Sequence, residues 1–159
     1  MMNKKKIKSE LTDDYLHLLW SHAYWKETLQ NAIFNKESLD VDAISKDNTC
    51  DLGKWLLEEH KHHISDLKSY RNLVEKHAEF HIEAGKLAKL ANTRQYDDAQ
   101  KLLDEATEFA HAAEAVISAL FRLKEETDKL KKHVKTPEAY VHSRCFRIFN
   151  SKDFEDRHW

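Results

Sequence analysis

The sequence predicts an all-α fold, on three observations. Two glycines and one proline in 159 residues leave almost nothing for tight hairpin turns, whereas Leu, Ala, Lys and Glu are plentiful. Apolar residues recur at alternating steps of three and four over long stretches, the spacing of one helix face. A chain of this length can also bury one hydrophobic core without help from disulfides.

From about Ser9 to Asn35 the apolar positions are Leu11, Tyr15, Leu18, Trp25, Leu29 and Ala32, and His22 fills the one missing place. This is the first helix. Lys36 to Thr49 is polar and rich in Asp, Asn and Ser, which favour turns and caps, so it is expected to be a loop. A short helix is expected over Leu52 to His60, and Ile64, Ser65 and Asp66 supply cap candidates for the next one. That third helix runs from about Ser65 to Ala91 with a seam of Leu67, Tyr70, Val74, His77, His81, Ala84, Ala88 and Ala91.

Asn92 and Thr93 suit a break, and a fourth helix is expected from about Arg94 to Val134 with two apolar rows. One row is Ala99, Leu103, Ala106, Ala110, Ala113, Ile117 and Leu120; the other is Leu102, Phe109, Val116, Leu123 and Leu130. The second repeats at strict sevens, so this helix can face neighbours on two sides, as in a bundle or a coiled-coil dimer. Pro137 cannot sit in a helix interior and ends it. The expected organisation is one helical domain over residues 9–134 and a tail over 135–159. Tyr140, Val141, Cys145, Phe146, Ile148 and Phe149 suit a short amphipathic helix in that tail, folded back or serving as a docking segment.

Charge is balanced, 26 basic against 28 acidic residues, which implies neither a nucleic-acid footprint nor attraction to an anionic membrane. The basic start, with Lys4, Lys5 and Lys6, is followed by no apolar stretch long enough for a signal sequence or a membrane span, and a cytoplasmic location is expected. Cys50 and Cys145 do not form a disulfide framework and read as thiols.

The chemistry lies in the histidines. An unpaired imidazole on an apolar seam loses water without compensation, at a cost of about 1–3 kcal/mol. His77 and His81, four apart, share one helix face one turn apart, the spacing at which two imidazoles can grip one metal ion. His22 occupies the inward stripe of the first helix. Cys50 stands at the start of the short helix, where the helix dipole favours a thiolate. Three imidazoles and a thiolate are ligand types that zinc prefers, and four ligands close its tetrahedron. A closed site for one Zn2+ leaves no position for an activated water, so no enzymatic activity is expected.

Three elements then occur in order: His22-Ala23-Tyr24, Cys50-Asp51-Leu52-Gly53-Lys54-Trp55 and His77-Ala78-Glu79-Phe80-His81. In this the chain resembles the chemoreceptor zinc-binding domain, a bacterial regulatory module, over roughly Leu11 to Leu130. The resemblance implies a four-helix bundle with a short extra helix carrying the cysteine. It also implies zinc held by His22, Cys50, His77 and His81, and a homodimer. Such domains are generally fused to chemoreceptors or diguanylate cyclases, and zinc occupancy or oxidation of the zinc-bound cysteine, notably by hypochlorous acid, changes their output. This chain holds neither a methyl-accepting coiled coil nor a cyclase, so its output is expected through a separate signalling protein or a segment outside this sequence.

Other residues carry plainer readings. His60, His62 and His63 diverge in direction and suit a solvated helix end. His17 is expected at the surface, Gly53 to permit a close approach of the short helix to the bundle, Trp55 to anchor the core, and Cys145 to pack as a half-buried thiol. Glu108 and His111 form half of a di-iron pattern with no second copy. A hemerythrin-like iron site is the first rival, but it needs bridging carboxylates, and Lys26 and Ala115 stand where they would be sought. A purely structural zinc site in an adaptor, or a zinc buffer, are the others.

Overall fold

The computed structural model describes residues 4–59, 64–104 and 106–133, with side chains described over 15–58, 64–104 and 106–130. Six helices and no strand occur among them: α1 Lys4–Phe34, α2 Val41–Ile44, α3 Asp51–Glu59, α4 Lys68–Asn92, α5 Tyr96–Lys101 and α6 Glu108–His133. The all-α expectation holds. The chain divides into two units, Met1–Lys124 and Glu125–Trp159. The described part of the second is the end of α6, where Thr127 is buried and Leu130 about half exposed. The expected tail over 135–159, Cys145 within it, and His60, His62 and His63 lie outside the described residues.

In the first unit the stripe expected on α1 is buried: Tyr15, Leu18, His22, Leu29 and Ala32 all face inward, joined by Ile33. The helix begins at Lys4 rather than Ser9, because residues 4–10 are mostly good helix formers and nothing in them stops it. It ends in a Schellman turn. Lys36, in the left-handed region at φ 57, donates its N–H to the Ile33 carbonyl, and the Glu37 N–H goes to that of Ala32. Arg94, at φ 64, ends α4 the same way, through Arg94 to Ala91 and Gln95 to Leu90. Neither stop uses a glycine.

The segment expected to be a loop contains the one-turn helix α2. Asp40 caps it, its carboxylate accepting from the Ala43 N–H at 3.0 Å, and Ile44 reaches the core. On α4 the seam is broader than expected. Leu73, Phe80 and Leu87, fully buried and spaced by sevens, form a second row, while Val74 is 38% exposed. The cause is that α4 has neighbours on more than one side: it packs on α2 and α5, while Phe80 meets His22 of α1 and Phe109 of α6. Its N-cap is Leu67, without a side-chain cap bond, so Ser65 and Asp66 do not cap it.

The fourth expected helix is two helices. Thr107 interrupts it: its hydroxyl donates to the Leu102 and Asp104 carbonyls and accepts from the Ala110 N–H, and its own carbonyl accepts from His111. These bonds make Thr107 the N-cap of α6, and a cap residue competes with the continuous helix that periodicity alone predicts. Ala106 is consequently exposed, whereas Phe109, Val116, Leu120 and Leu123 are buried as expected.

Candidate metal centre

The inward stripe of α1 and the facing stripe of α4 bring three histidines together in the core. His22, His77 and His81 are 3%, 1% and 0% exposed, so none can exchange its polar atoms with water. His77 and His81 lie one turn apart on α4, and their Nε2 atoms approach to 3.1 Å. On the other side of His77 stands Cys50, with its Sγ 3.2 Å from the same Nε2. Cys50, His77 and His81 are the group of ligand-type residues that could hold a metal ion among the described residues.

Local structure aims each group. Cys50 directly precedes α3; its carbonyl accepts from the Lys54 N–H and its sulfur from the Gly53 N–H at 3.3 Å, so it occupies the capping position. A Cβ on Gly53 would fall on the carbonyl oxygen of Asp47, so only glycine lets α3 start this close to the preceding turn. The close approach expected at Gly53 is thus to the 47–48 backbone rather than to the bundle. α3 is held by Leu52 and Leu56 in the core and by the Tyr70 hydroxyl, which donates to the Leu56 carbonyl. Trp55 packs against the core and lies 5.5 Å from the Tyr15 ring, although its buried N–H finds no partner among the described residues.

His81 Nδ1 lies 2.6 Å from the Ile44 carbonyl. A carbonyl can only accept, so Nδ1 carries the hydrogen and Nε2 of the neutral ring presents a lone pair. Burial is what keeps these rings neutral. It pushes His22 and His77 down to about 3, aided in both by the charge that His81 would carry. His81 is lowered too, by burial, against the opposing pull of the Ile44 carbonyl and Asp47. Burial raises the Cys50 thiol, and the backbone N–H groups of Gly53 and Leu52 offset this only in part. The helix start therefore favours the thiolate, as expected from sequence, but is outweighed by desolvation.

The donor set fits zinc. At tetrahedral angles, Zn–N near 2.0–2.1 Å and Zn–S near 2.3 Å put neighbouring ligand atoms about 3.3–3.6 Å apart. The observed 3.1 and 3.2 Å are close to those edges. The Ile44 carbonyl is the outer hydrogen bond that metal-binding histidines usually make through their other nitrogen. His22 adjoins the cluster without joining it: its ring centroid is 5.7 Å from that of His77 and 4.4 Å from that of Phe80. Both of its nitrogens are buried without a partner among the described residues, a costly state that a metal bond would relieve.

Residues 22–88 match the family model of the chemoreceptor zinc-binding domain. Over that stretch the chain is similar to this domain. The match is shorter than the span from Leu11 to Leu130 over which the motifs suggest resemblance, and it contains all four expected ligands. No curated protein and no solved structure is significantly similar to the chain. The chemoreceptor zinc-binding domain is a zinc domain by definition, and the cluster of Cys50, His77 and His81 is one that can bind a single zinc ion.

The remaining expectations fall out around that cluster. His17 is exposed and stands 3.5 Å from Asp51. Glu108 and His111 are exposed. Among the described residues no carboxylate joins the metal-ligand cluster, which a hemerythrin-like site would require. No described helix is long and apolar enough to cross a membrane. What sequence reasoning missed is the Ile44 carbonyl, because a backbone partner leaves no mark on residue identity.

Proposed function

We propose that this chain is a zinc-dependent regulatory module in which His22, Cys50, His77 and His81 hold one zinc ion and Cys50 is the ligand that lets go. The observation that carries this reading is an asymmetry of placement. The histidines project from two long helices and are buried, whereas Cys50 sits where α3 begins and is only half-buried. A cleft of about 180 Å³, lined by Ser21, His22, Trp25, Cys50, Asp51 and Leu52, leads to it.

Bound zinc would keep the Cys50 sulfur deprotonated and hold it against the histidines. Oxidation by an agent such as hypochlorous acid transfers oxygen to the thiolate, giving a sulfenic acid while chloride leaves. The sulfur is then a poorer ligand. Freed of it, the start of α3 loses one of its attachments, a local order change that a partner can sense. Output passes to a second copy of the chain or to a separate signalling protein of chemoreceptor or diguanylate cyclase type.

Metal analysis of the purified protein tests this, together with Cys50→Ala and His77→Ala. One zinc per chain is expected in the parent, none in the histidine variant, and weaker but measurable binding in the cysteine variant. Oxidant treatment should reproduce the cysteine variant. If oxidation leaves both the zinc affinity and the exchange protection of α3 unchanged, Cys50 is no switch and the site is purely structural.

A further inference from the structure

The segment from Leu39 to Cys50 is fastened to one stripe of α4 at four heights. At one end Cys50 meets His77. One turn on, the Ile44 carbonyl receives the His81 N–H. At the next, Ser45 lies so close to Gly85 that a Cβ there would fall on its hydroxyl oxygen. At the far end the Asn92 side chain bonds both backbone groups of Leu39: its carbonyl oxygen accepts from the Leu39 N–H at 2.8 Å, and its amide donates to the Leu39 carbonyl at 2.7 Å. Positions 77, 81, 85 and 92 share one helix face, and the fifteen steps from His77 to Asn92 rise about 22 Å.

Between its ends the segment is braced. Asp40 caps α2, and the Thr49 hydroxyl ties the turn before Cys50 to the Ala43 and Lys46 carbonyls. Leu39 and Val41 pack on the core, and the Asp47 carbonyl abuts Gly53. A shift at Leu39 is therefore carried toward the Ile44 carbonyl and Cys50 rather than absorbed between them.

We infer that Asn92 is a positioning residue for the metal site: by fixing Leu39 it sets the height at which Ile44 orients His81 and Cys50 meets His77. A carboxamide suits this task because it offers an acceptor and a donor side by side, matching the N–H and C=O of a single residue. Asn92 itself touches none of the four ligands. The inference rests on the zinc reading above, and the test separates the two.

Zinc affinity, measured by competition with a chromophoric chelator, and the spectrum of the cobalt-substituted protein are compared for the parent, Asn92→Ala, Asn92→Asp and Thr93→Ala. Thr93 serves as control because its hydroxyl bonds only groups of its own helix end, donating to the Lys89 and Leu90 carbonyls and accepting from the Gln95 side-chain amide. Both Asn92 variants should bind zinc about tenfold more weakly, the low end of the loss that follows when a ligand's outer hydrogen bond, here that of Ile44 to His81, is disturbed. Their thiolate-to-cobalt charge-transfer band should fade while visible ligand-field bands of the cobalt ion, still held by the histidines, persist. Asp fails like Ala because a carboxylate cannot donate to the Leu39 carbonyl. Thr93→Ala should leave affinity and spectrum unchanged. Parent-like behaviour of both Asn92 variants, or an equal loss in Thr93→Ala, overturns the inference; a parent protein that binds neither metal overturns the zinc reading and this one with it.

Discussion

A histidine with both ring nitrogens shut away from water and from protein partners costs folding free energy unless something binds it. His22 is such a residue among the described residues. Replacing it with leucine should therefore stabilise the zinc-free protein, by about 1–3 kcal/mol, while lowering zinc affinity. Acid sharpens the contrast. Burial holds His22 down to about 3 from its ordinary 6.5, so on acidification the unfolded chain takes up the proton first. The metal-free parent should lose stability as pH falls through that window, and His22→Leu should lose less. Urea melts at neutral and mildly acid pH check both effects; a leucine variant less stable than the parent at neutral pH would make His22 an ordinary core residue. His22, His77 and His81 were legible in the sequence because each is a polar group on an apolar seam. The Asn92 and Leu39 pair was not, since one partner is backbone and the other looked like a helix end.

At the scale of the element, α3 has little freedom in how it begins. Alanine at position 53 would press its Cβ onto the Asp47 carbonyl oxygen, and because that atom is backbone the turn or the helix must move. Overpacking of this kind costs about 1–3 kcal/mol. Gly53→Ala should therefore destabilise the protein by that amount in denaturant melts and weaken zinc binding by displacing Cys50; unchanged zinc affinity would show that the α3 start is adjustable. The existence and rough extent of α1, α3 and α4 were readable from periodicity. The division of the fourth expected helix was harder, because the Leu102, Phe109 and Val116 row runs in step across it. Its signal was present in Thr107 followed by Glu108, a cap residue and a first-turn acid, but apolar spacing pointed the other way. α2 is too short for any periodicity, and Asp40 alone announces it.

At the scale of the molecule, a net charge of −2 spread over balanced charges leaves apolar contact as the plainer basis for association. Leu16, Trp20 and Tyr24, four residues apart on α1, are 50%, 72% and 58% exposed and form one outward apolar face. The homodimer that the family resemblance implies can be tested at this face. Trp20→Glu should then shift the protein toward monomer in sedimentation experiments without reducing zinc per chain; an unchanged association state would place the dimer contact elsewhere.

The indoles next to the metal centre have a practical consequence. Trp25 lies edge-on to His81, with ring centroids 5.7 Å apart, and Trp55 rides on α3 beside Tyr15. One tryptophan thus adjoins a ligand and another travels with the element that the cysteine tethers. The protein's own fluorescence should therefore respond to both halves of the proposed event, zinc binding and release of Cys50, which would make the centre observable in real time without a dye, a tag or a partner protein.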